Sequence, residues 1–132
     1  MGEWVTWTPD LLIGVQSIDD QHQELFRRFN QLGDALWDGK GKEEVGEILD
    51  FIADYAVNHF ADEEAFMLKH DYPNYQTHKQ VHEAFVGEVA ETVAQYKNGK
   101  NSSEFVATIV NRLGDWTREH IKKMDQEIKG YL

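Results

Sequence analysis

The sequence has no cysteine. That excludes disulfides, thiolate metal sites and a cysteine nucleophile. Proline is scarce: Pro9 and Pro73 are the two present, and neither interrupts a periodic segment, so long helices are permitted. No apolar run approaches the roughly 18 residues of a membrane span. The opening "MGEWVTWTPD" lacks the basic and apolar regions of a secretion signal. A cytoplasmic location, with no membrane association, is therefore the expectation. Positive charge is also short: 13 Lys and Arg face 24 Asp and Glu, for a net charge of −11. Such a surface repels phosphate backbones and anionic lipid, which argues against nucleic acid and membrane surfaces as partners. What is present is a 132-residue chain with 41% hydrophobic and 28% charged residues, enough for one domain with a real core.

Breakers fall at "DGKGK" (38–42), "HDYPN" (70–74) and "KNGKNSS" (97–103). They divide the chain into an arm, 1–18, and helical segments over about 19–37, 42–69, 74–97 and 103–129. The arm holds Trp4, Trp7, Leu11, Leu12 and Ile13 without a clear period, and its aromatics are expected to pack over the helix ends. Asp19 or Asp20 can cap the first helix and Ser102 or Ser103 the fourth. Each segment carries one apolar stripe: Leu25, Phe26, Phe29, Leu32 and Leu36 in the first, and Phe105, Ile109, Leu113 and Trp116 in the fourth. Four amphipathic helices with short loops predict an all-α fold, an antiparallel up-down-up-down four-helix bundle with an N-terminal arm. The pattern leaves the oligomeric state undetermined, with a monomer slightly favoured.

The stripes are not wholly apolar. Of six histidines, His22, His59, His78, His82 and His120 lie on inward faces, and Glu63 joins them; His70 lies in a loop. A single histidine on an apolar face is usually a satisfied core residue. Five with a carboxylate are another matter. Each polar group buried without a partner costs roughly 2 kcal/mol or more, and metal coordination offsets that cost for imidazoles and carboxylates together. Residues four apart lie about 40° apart on a helix, so His78 and His82 can reach one metal, and His59 and Glu63 the same or a neighbouring one. Six ligands suit two metals. Asp125 is a seventh candidate, but five residues after His120 it lies about 140° away on an ideal α-helix. Spacing alone therefore leaves it undecided. Imidazole with a minority of carboxylate suits iron, zinc, copper or nickel. No histidine has a glutamate three residues before it, which counts against the carboxylate-rich ferritin-like di-iron class.

Together, His22 in "DDQHQELF", His59 and Glu63 in "HFADE", His78 and His82 in "HKQVH", and His120 and Asp125 in "HIKKMD" resemble the hemerythrin family, in particular its bacterial single-domain members. The resemblance spans almost the whole chain. It implies two iron ions with an oxo or hydroxo bridge, and reversible binding of dioxygen. His78, His82 and His120 would hold one iron and His22 and His59 the other, with Glu63 and Asp125 bridging. Phe60, Trp116, Thr117 and Ile121 would line the dioxygen pocket.

Thr117 departs from the family pattern, which often has leucine after this tryptophan. Its hydroxyl either admits water to the pocket or bonds its own helix backbone. The function implied is oxygen carriage, storage or delivery without enzymatic turnover. The alternatives are an oxygen or redox sensor, or a peroxidase-like or nitric-oxide-handling di-iron enzyme.

Overall fold

The turns between the long helices are set by residues in left-handed backbone. The computed structural model describes residues 4–131, so residues 1–3 of the expected arm, and residue 132, lie outside it. Helix α1 (Gln16–Trp37) ends at Gly39, φ 69°, and α3 (Tyr75–Lys97) at Gly99, φ 111°. In each case the next residue reaches back into the last turn: Lys40 N–H to the Ala35 carbonyl at 2.9 Å, and Lys100 N–H to that of Gln95 at 3.0 Å. Helix α2 (Lys42–Lys69) closes the same way through Asp71 at φ 54°, with Tyr72 N–H bonded to the Met67 carbonyl at 3.0 Å. Helix α4 (Ser103–His120) starts at Ser102, whose hydroxyl accepts from Phe105 N–H at 3.1 Å. Such a cap stabilises by about 1 kcal/mol.

The four helices form the expected antiparallel bundle. Helix α1 packs on α2 and α4, and α2 on α3. Side chains close the α3–α4 seam, where Phe85 stacks on Trp116 at 3.7 Å and Glu88 pairs with Arg112. Phe29, Leu32, Leu49, Ile52 and Leu113 are fully buried between the helices. Each such side chain contributes roughly 1.5–3 kcal/mol through removal from water.

Three expectations need correction. Helix α1 begins at Gln16 rather than near 19, because Asp19 does not sit at the cap. It lies in the first turn and accepts from Ile13 and Gly14 N–H at 2.8 and 3.1 Å, tying the arm to the helix. The fourth helix is not one α-helix to 129. After His120 comes a π-helical turn, Ile121–Asp125, then one helical turn, Gln126–Ile128, and a 3₁₀ turn, Lys129–Tyr131.

The third concerns the arm, which runs along the bundle's flank instead of over its ends. Trp4 lies on Gly33, where a Cβ would strike the indole, and Val5 packs at Gly114 of α4. Asn30 holds this stretch by accepting from Trp4 and Val5 N–H and donating to the Val5 carbonyl. Trp7 meets Phe26 edge-on at 5.2 Å, and Gln126 donates to the Leu11 carbonyl at 2.9 Å.

Candidate metal centre

One end of the bundle interior is polar. His22 comes from α1, His59 and Glu63 from α2, His78 and His82 from α3, His120 from the end of α4, and Asp125 from the π turn. All seven are buried, and Glu63, His22, His78 and Asp125 are 0% exposed. The π turn explains Asp125. Its backbone closes five residues apart, with Gln126 N–H bonded to the Ile121 carbonyl. That extra residue in the turn brings the carboxylate back over His120, which an α-helix would not do.

The donor atoms fall into two groups. His78, His82 and His120 bring their Nε2 atoms together, both His78 and His82 at 3.1 Å from His120. Glu63 Oε1 lies 3.2 Å from the Nε2 of His78 and of His82, and Asp125 Oδ1 lies 2.9 Å from His78 and 3.2 Å from His120. The other group holds His22 and His59, with Glu63 Oε2 at 3.2 and 3.5 Å from their Nε2 atoms. Asp125 Oδ2 is 3.2 Å from His22 Nε2. Each carboxylate therefore turns one oxygen to each group.

This set fits metal better than it fits hydrogen bonding. Three Nε2 atoms around one point cannot all find donors and acceptors among themselves. Glu63 Oε1 and both Asp125 oxygens are buried, with imidazole nitrogens 2.9–3.2 Å away, yet none of these contacts has the geometry of a hydrogen bond. Nitrogens about 2.1 Å from a shared ion at right angles would be separated by about 3 Å, close to the spacing found.

The charge balance points the same way. In the metal-free chain burial opposes charge on His22 and His78, yet the carboxylates of Asp125 and Glu63 outweigh it and hold both up at about 9. Burial dominates at His59 and pushes it down to about 4. Glu63 and Asp125 stay below the usual carboxylate range: burial opposes this, and the surrounding imidazoles overcome it. Two acids thus draw protons where no cation is bound.

Around this cage the proposed pocket residues are spread out. Phe60 stacks on His82 at 3.9 Å and lies 5.5 Å from His59. Trp116 stacks on His120 at 4.6 Å, on the three-histidine side. Thr117 and Ile121 are buried, and the Thr117 hydroxyl donates to the Leu113 carbonyl at 2.9 Å. His70 stays outside the cage, its ring against Phe66.

Sequence reasoning passed over a second layer. Gln21 Oε1 lies 2.7 Å from His59 Nδ1, and Glu64 Oε2 lies 2.9 Å from His82 Nδ1. Both neighbour a cage residue in sequence, but each serves a histidine on another helix, a pairing no single-helix pattern reveals.

A four-helix bundle with two adjoining groups of buried histidines, Glu63 common to both and Asp125 facing both, is the arrangement of a non-haem di-metal protein. The family described as "Hemerythrin HHE cation binding domain" matches residues 13–132, and the chain belongs to the hemerythrin family. It is 35% identical to a bacteriohemerythrin of Stenotrophomonas maltophilia (strain R551-3), over 97% of this chain and 84% of that protein. It is 33% identical to one of Methylococcus capsulatus, over 92% of each. A crystal structure of wild-type hemerythrin matches with a TM-score of 0.83 at 32% identity, covering 97% of both chains. The hemerythrin domain holds a di-iron centre, and the buried His, Glu and Asp cluster suits one. Among the described residues, no helix is long and apolar enough to cross a membrane.

Proposed function

We propose that the chain binds dioxygen reversibly at its di-iron centre, as a carrier, store or delivery protein without turnover. The observation that carries this is the donor balance: five buried imidazoles against two buried carboxylates, each carboxylate divided between two groups. In this reading His78, His82 and His120 would hold one iron and His22 and His59 the other, and Glu63 and Asp125, each with one oxygen toward each group, would serve both. When bound, the two irons would make two electrons, one from each, available to dioxygen.

The chain's own groups do the rest. Neutral imidazoles donate less charge than carboxylates, which disfavours the higher iron valences that oxygen-activating chemistry needs. Phe60 and Ile121, 5% and 1% exposed, keep water from the cage. The Thr117 hydroxyl is occupied by its own helix and brings no free donor to that wall.

The test is anaerobic reduction of the iron-loaded chain followed by air. A visible band that appears with oxygen and fades on purging supports the carrier, and elemental analysis should give two irons per chain. One-way oxidation would overturn it. That outcome would favour sensing, for which one observation speaks. The arm is tied through Leu11 to Gln126, beside Asp125.

A further inference from the structure

The five cage histidines all turn Nε2 inward, so what distinguishes them is the outward Nδ1. At His22, His78 and His120 this atom has no hydrogen-bond partner among the described residues. At His59 and His82 it has one, and each group of the cage contains one of those two histidines. The partners differ in charge. Gln21 offers a neutral amide and Glu64 a carboxylate.

The orientation of Gln21 is fixed from outside. Its Nε2 donates to Asp62 Oδ2 at 2.8 Å, which leaves Oε1 facing His59. An amide oxygen and an ionised carboxylate both only accept. Both histidines therefore carry their proton on Nδ1 and present a lone pair inward from Nε2, the form a metal needs. A carboxylate pulls harder on that proton than an amide does, and makes the ring a stronger donor. Glu64 is only 17% exposed, so solvent screens it weakly. On the other side the negative charge sits one link further out, on exposed Asp62.

We propose that Gln21 and Glu64 are positioning residues that make the two metal positions unequal. Glu64 strengthens the His78–His82–His120 position, which fills first and holds its ion more tightly. Gln21 fixes the ring of His59 without adding charge, and leaves the His22–His59 position the weaker of the two. This rests on the two-metal reading given above.

The experiment titrates the metal-free full chain with cobalt(II) under anaerobic conditions, following visible absorption and bound cobalt. Wild type should take two ions in two steps separated by about 10-fold or more. Glu64→Gln keeps an acceptor for His82 but removes the charge, and should weaken the tight step by about 10-fold while leaving the weak step in place. The paired exchange Gln21→Glu with Asp62→Asn keeps the hydrogen-bond chain and the net charge, and moves the carboxylate one link inward. It should tighten the weak step by about 10-fold. Both changes should draw the two steps together. Two ions bound with the wild-type separation in the variants would overturn the inference while leaving the two-metal reading intact. Fewer than two ions in wild type would overturn both, and the stoichiometry tells these cases apart. The two variants replace different residues, Glu64 in one and Gln21 with Asp62 in the other, so if one fails to fold the other still decides.

Discussion

The two ends of this bundle use the same four helices and the same helical period, but they fill their interior with opposite chemistry. At one end Leu32, Val45, Leu49, Val106, Ile109 and Val110 pack in an apolar core. Its inward polar group, the Tyr96 hydroxyl, donates to the Lys42 carbonyl at 2.8 Å. At the other end seven ionisable side chains occupy the equivalent positions, several with no partner. The first end is stable by removal from water alone. The second is costly until a cation offsets it. Stability and metal binding should therefore separate along the bundle axis.

The strongest way to break that separation is at a shared carboxylate. Glu63→Ala removes an oxygen from both donor groups, and should weaken metal binding by more than about 100-fold, beyond the loss usual for outer partners. Iron per chain should fall from two to one or none by elemental analysis. Two retained irons would mean Glu63 is not shared. At the apolar end, Phe29→Ala empties a fully buried site and should cost about 3–5 kcal/mol. Urea unfolding should give the same loss with and without iron, and the iron count should stay at two. A loss that depends on iron would show that the ends are coupled.

Acid and base sharpen the contrast. In the metal-free chain His22 and His78 are held at about 9 against an ordinary 6.5. A raised folded value means their contribution is complete below about pH 6.5 and is lost as pH rises towards 9. Glu63 and Asp125 are lowered, so their contribution is present above about pH 4 and disappears in acid. Neutral His59, held down to about 4 by burial, adds stability above pH 6.5 that is lost as pH falls towards 4. Metal-free stability should peak near neutrality and fall by a few kcal/mol, as an order of magnitude, on the way to pH 9. Iron-loaded protein should stay flat across that alkaline range, since metal replaces the two protons. Phe29→Ala should lower the metal-free curve without changing its shape.

Much of this organisation was legible in the sequence, because periodicity reports which face a residue occupies. The stripe that carries Leu25, Phe26 and Phe29 also carries His22, and the placement of α2 at Lys42–Lys69 follows from the same logic. Periodicity fails where the period itself changes. Asp125 was undecided on an α-helical wheel and comes inward because Ile121–Asp125 is a π turn. Contacts between helices were also hidden. Nothing in the stretch around Gln21 shows that it reaches His59, thirty-eight residues away in sequence. Asp19 looked like a cap, but its burial under the arm gives it Ile13 and Gly14 as partners instead.

Thr117 stands where the comparison is finest, at the edge of the cage but on the α4 stripe. Two outcomes were open for its hydroxyl, and the bond to the Leu113 carbonyl selects one. A hydroxyl engaged with its own helix four residues back brings little water to a buried wall, and the residue is only 5% exposed. Thr117→Val keeps the shape and removes the hydroxyl. The helix loses a side-chain bond to a carbonyl that also belongs to the backbone ladder, so stability should change by less than about 1 kcal/mol. Air oxidation of the reduced, iron-loaded protein, followed optically, should proceed at the wild-type rate. A clear slowing would mean that the hydroxyl leaves Leu113 in solution and carries water or protons inward, and Thr117 would then belong to the chemistry of the cage rather than to the packing of α4.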